Sequence, residues 1–190
     1  MNYPSPDLLA LLAYRMRAIA IGHVALQFSR AWDEVPAVEI CFDGARVIEG
    51  KATAFTNGAI EAAIVHCRAL LEFLGLGGKS QTMLAERLNR TRVDDQGVEH
   101  FGALSRVSVA SAVRSYPGSK EEAKRALAYV IYLANKGLAH TTSTFSKHDQ
   151  GSHLLEIAFR GVPVLMVNSF YMPLGLQPPK YTLVSRERAV

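Results

Sequence analysis

Two short stretches hold the residues whose types could do chemistry. "HCRALLEFL", His66 to Leu74, contains His66, Arg68 and Glu72; "YLANKGLAH", Tyr132 to His140, contains Asn135, Lys136 and His140. An imidazole can serve as general acid or base near neutral pH, and a guanidinium or ammonium can hold an anion or offset charge building on a phosphate. In the second stretch the polar cluster interrupts an apolar stripe of Ala123, Leu127, Val130, Ala134 and Leu138, where a bundle would go on packing. A catalytic site, a binding site and a solvated helix end all fit that interruption.

Each residue also has a plainer role. On a helix at about 100° per residue, His66 falls inside a wide apolar arc, as a core histidine would, while Arg68 lies at its edge. Arg68 and Glu72 stand four apart, the spacing of a surface ion pair. Lys136 and His140 suit the negative end of a helix dipole, and Gly137 weakens the helix between them, so a break there could bring Asn135 and His140 together. A metal set would have to draw on His23, His66, Glu72 and His140, but no HxxxH or ExxH pair supports it, so no metal and no cofactor is expected. Arg87, Arg90 and Arg92 form a basic cluster that Asp94 and Asp95 largely cancel. Tyr129, Tyr132, Phe170 and Tyr171 could stack on bases, but aromatics at helical spacing usually fill cores.

Helices must position these groups. Ser5 as N-cap and Pro6 at the first helical position open a long amphipathic helix through Leu8, Leu12, Ile19 and Leu26. Asp43-Gly44 between two apolar runs signals a hairpin or extended loop. In the next segment Ile60, Ile64, Cys67, Leu71 and Leu74 repeat at four, three, four and three until Gly75, Gly77 and Gly78 stop the helix. The apolar arc around Ile64 exceeds what one neighbouring helix covers, and predicts a dimer through faces flanking this helix and the one beginning at Ser119. The pattern then predicts a shorter helix capped by Ser80, a polar loop over 91–102, and a helical stretch over 105–116 ended by Pro117-Gly118. Ser119 and Glu122 have capping-box spacing. Residues 154–171 alternate like a strand, but two short helices, the first closed by Gly161 and the second opened by Pro163, are preferred because nothing else in the chain supplies a sheet for such a strand.

With 190 residues, 49% of them apolar, the chain suits one domain with a real core, over 1–176, followed by an extended or partly disordered tail over 177–190. Its hydrophobic runs are broken before the roughly twenty residues a bilayer span needs, and the N-terminus lacks a basic leader, so neither membrane nor signal peptide is expected. Cys41 and Cys67, neither in a CxxC pair, suit buried free thiols in a reducing cytoplasm. A net charge of +4, not gathered in one run, falls short of a nucleic-acid footprint.

Together "HCRALLEFL" and, much later, "ANKGLAHTT" (Ala134 to Thr142) resemble the two-helix core of HEPN-like proteins. The resemblance covers roughly 55–145. It implies an all-α, up-and-down bundle of five or more helices, with room for one small β-hairpin, that forms homodimers. It also implies a role linked to RNA or defence of the toxin–antitoxin or abortive-infection type, with RNA and an antitoxin-like protein as partners. Members that cut RNA carry an Arg-x4–6-His motif. His140 stands at its histidine and Asn135 at the polar residue after its arginine, where this chain has Ala134. Arg68 is the substitute guanidinium. The implied chemistry is metal-independent: His140 acts on a ribose 2′-hydroxyl, Arg68 or Lys136 offsets phosphate charge, and Asn135 orients the scissile group. His66 and Glu72 complete the expected binding set. A non-catalytic binding or dimerisation module of the same fold is the alternative.

Overall fold

The computed structural model describes residues 3–87, 95–138 and 151–181. His140, Arg90, Arg92 and Asp94 lie outside the described residues. Helix α1 (Pro6–Ala31) starts as expected: the Ser5 hydroxyl accepts a hydrogen bond from the Leu8 N–H, and Pro6 takes the first helical position. A hairpin of β1 (Ala37–Phe42) and β2 (Ala45–Lys51) follows. Its turn is the Asp43-Gly44 pair, both at positive φ, which the twist of a two-residue hairpin requires.

Helix α2 (Thr53–Phe73) returns along α1. Gly22 meets Ala59 and Ala63, and Arg15 meets His66, so the two helices run antiparallel. A side chain at Gly22 would sit 2.8 Å from the Ala59 carbonyl oxygen, so only glycine permits this approach. Helix α4 (Lys120–Tyr132) and helix α5 (Gly151–Met166) pack against each other, and α5 also lies on α1 and α2. Between them sit Leu70, Leu71, Leu74, Val130, Ile131, Phe159 and Met166, all at 2% exposure or less. Phe73, Phe101 and Tyr171 each meet the Phe170 ring edge-on and close one end.

The architecture is α+β rather than purely all-α, because a second hairpin follows α2. Strand β3 (Leu76–Gly78) pairs antiparallel with β4 (Leu84–Glu86), in the segment expected to form a helix capped by Ser80. The Ser80 hydroxyl does accept a backbone N–H, but from Thr82, which makes a turn. Leu76 and Leu84 enter the core, and Gly78 lets the strand lie on α4, where a Cβ would be 3.2 Å from the Ile131 side chain.

Three other expectations change. The helical pattern over 105–116 yields one turn, α3 (Val109–Ala112), capped by Ser108. The box at Ser119 does not form; Glu122 turns to other partners. And α5 runs straight through Gly161 and Pro163 instead of breaking into two helices. An internal proline costs about 3 kcal/mol, yet each large apolar side chain buried around it contributes about 1.5–3 kcal/mol, and Leu155, Phe159, Val162, Leu165 and Met166 are all buried. Both α4 and α5 end in a π turn, Leu133–Gly137 and Val167–Tyr171, closed by i to i+5 bonds from the Leu138 and Met172 N–H groups. Residues 177–181 continue without helix or strand, held where Arg17 Nε donates to the Lys180 carbonyl and Tyr181 packs on the core.

Candidate functional site

Of the residues singled out by sequence, the structure joins Arg68 to Glu72 and adds Arg87. Arg68 Nε lies 3.0 Å from one Glu72 oxygen and an Arg87 Nη 3.1 Å from the other. One carboxylate thus bridges two guanidinium groups at the end of α2. Glu72 and Arg87, with Ser5, with Asp7 and Arg15 of α1, and with Asp95, edge an open cleft of about 500 Å³. Its charges alternate in sign, so it offers no strong anion field.

His66 is half-buried rather than enclosed as a core histidine would be, and its partners stand on α1. Arg15 Nη1 lies 3.2 Å from its Nδ1, and the Tyr14 ring meets it edge-on at 5.2 Å. Burial and then the Arg15 charge hold its pKa below 6.5. His66 therefore stays neutral at physiological pH and accepts from Arg15. It is a seam residue between two helices.

Asn135 and Lys136 sit on the π turn that ends α4, Asn135 half-buried and Lys136 exposed, and this turn packs against α2. His140, the third member of that cluster, lies outside the described residues. Among the described residues no group of three or more His, Cys, Asp or Glu side chains could hold a metal. Cys67 is fully buried, and burial pushes its thiol well up, whereas Cys41 is exposed on β1 rather than buried.

A second cluster was missed by sequence. Glu122 on α4 accepts from the Tyr116 hydroxyl at 3.1 Å and pairs with His153 Nε2 on α5 at 3.0 Å. These bonds, His153 first, hold its carboxyl below the usual range, while burial and then Glu122 raise the Tyr116 hydroxyl. Tyr116 and His153, which Glu122 joins, edge a cleft of about 380 Å³ between α4, α5 and the loop after α3, floored by Leu127, Ile157 and Leu165. Glu122 had been assigned to a cap, and no local spacing links it to residue 153.

The face intended for a partner also differs. Ile64 is covered within the chain, and Ala126 to Ile131 of α4 are all buried. The exposed apolar residues gather instead on the outer side of α1 and α2. Leu11, Tyr14 and Ile21, with the half-buried Ala18 among them, follow a three-four-three spacing and Phe28 continues it seven residues on; Gly58, Ala62 and Val65, with the half-buried Ala69, give four-three-four on α2. Compared with known proteins, the chain matches no family model, no curated protein and no solved structure.

Proposed function

We propose that this chain is a homodimeric helical module, acting by binding rather than catalysis, and that two copies meet through the outer face of α1 and α2 with the first hairpin. The observation that carries this is the uncovered apolar face. Exposed parts of Leu11, Tyr14, Ile21, Phe28, Phe55 and Val65, with Phe42, Val47 and Ile48 of the hairpin, expose on the order of 800 Å², the share one partner gives to a standard interface. Heptad-like spacing on both helices suits packing against other helices. By length and hydropathy α1 could cross a membrane, and only 28% of its most apolar window is buried; the corresponding window of α5 is 56% buried. Against a lipid-facing role, α1 has no lysine, and Arg15, Arg17 and Arg30 are bonded to His66, the Lys180 carbonyl and Glu156. A cytoplasmic location fits the exposed thiol of Cys41.

A place among HEPN-like proteins, with a role linked to RNA or defence and an antitoxin-like partner, rests on the resemblance of His66–Leu74 and Ala134–Thr142. Against catalysis, Arg68 is already tied to Glu72. In favour of it, the π turn at Asn135 and Lys136 is a distortion found often at functional sites. Sedimentation equilibrium tests the first reading: wild type is dimeric at micromolar concentration and Ile21→Glu monomeric. Monomeric wild type overturns it. RNA cleavage by wild type that is lost in His140→Ala and in Arg68→Ala would establish the catalytic reading instead.

A further inference from the structure

The cleft between α4 and α5 has a charge pattern with one vacancy. Glu156 is committed to Arg30 at 2.7 Å, and Glu122 to His153 and Tyr116. Arg160, on the same rim, has no hydrogen bond or ion pair among the described residues. Below the rim lie Ala123, Leu127, Ile157 and Leu165, all buried, with Val164 at the lip. The third wall is fixed: Lys120 Nζ donates to the Arg114 and Tyr116 carbonyls, which pins the loop after α3.

We propose that this cleft binds a small amphipathic carboxylate, its tail on the apolar floor and its head paired with Arg160. A guanidinium presents a two-pronged donor edge that matches a carboxylate. The cleft, about 380 Å³, falls within the range of small-molecule sites and holds on the order of a dozen water-sized atoms, enough for a medium-chain tail. A phosphate dianion fits less well, since the Glu156 carboxylate stands on the same rim and, among the described residues, Arg160 is the one rim cation without an ion pair. The site lies on the α4–α5 side of the molecule, apart from the outer face of α1 and α2, so it does not depend on the dimer.

Gly161 supplies the means of testing it. It lines the cleft, and nothing lies within 4 Å of where its Cβ would be, so a side chain can start there without a clash and would compete with a ligand for the space. A non-glycine residue also favours the helix. Calorimetric titration of the full chain with octanoate should show saturable binding in the micromolar to sub-millimolar range. Octanamide, which lacks the charge, and the exposed-site variant Arg160→Gln should each weaken binding by about tenfold or more. Gly161→Leu should abolish binding while its melting temperature stays equal to wild type or rises, which separates a blocked cleft from a damaged fold. Absence of saturation by wild type at several millimolar octanoate overturns the proposal. So does equal binding of octanamide, or unchanged binding in Arg160→Gln and Gly161→Leu.

Discussion

The two hairpins of this chain are built from similar means and have opposite surroundings. β3 and β4 pair over three residues each, yet Leu76 and Leu84 are in the core, and α4 covers the strands at Gly78. β1 and β2 pair over six and seven residues, yet nearly every position is exposed, with Phe42 63%, Val47 55% and Ile48 43% accessible. An isolated two-stranded hairpin is marginal in water. The short hairpin is stable because the chain buries it. The long one leaves three large apolar side chains in solvent, and it connects α1 to α2, the helices with the uncovered face, so the proposed second copy would cover it as well.

The largest expected effect separates the hairpins by stability. Leu76→Ala, at a fully buried site, should lower unfolding free energy by about 2–5 kcal/mol in denaturant titration. Ile48→Ala, measured where the chain is monomeric, should change it by less than about 0.5 kcal/mol. Equal losses would erase the distinction. Glycines give a smaller but sharper contrast. Gly78→Val must push Ile131 and should cost about 1–3 kcal/mol, whereas Gly50→Val in β2 meets nothing and should be neutral or stabilising by up to about 1 kcal/mol.

Legibility followed the range of the forces involved. The Asp-Gly turn, the Ser5-Pro6 start and the four-three repeat of α2 act within a few residues, so they could be read directly. The second hairpin was hidden because Ser80 serves a turn as readily as a cap, and Gly78 matters through its contact with Ile131, over fifty residues away. Arg68–Glu72 was visible as an i, i+4 pair; the joining of Arg87 to it was not. Likewise Tyr116, Glu122 and His153 come together by helix packing, which no local pattern encodes.

The smallest expected effect is on pH, at the α1–α2 seam that carries the long hairpin. His66 and His23 both titrate below 6.5, chiefly through burial, with Arg15 adding to the shift at His66. The unfolded chain therefore takes up protons that the folded chain does not. This contribution to stability is full above pH 6.5 and is lost as the pH falls through the lower folded-state values. Denaturation midpoints should drop modestly between pH 7.5 and pH 5, and His66→Gln should narrow the drop. An unchanged gap would mean that the seam does not sense protons.

The central claim, that a second copy covers the outer face and the long hairpin, is tested most directly by hydrogen exchange of the 37–51 amides at two protein concentrations. At concentrations where the dimer forms, these amides should exchange slowly. On dilution, or in Ile21→Glu at any concentration, they should exchange far faster while the amides of 76–86 keep their protection. Identical exchange of 37–51 at all concentrations, in wild type and variant alike, would contradict the account.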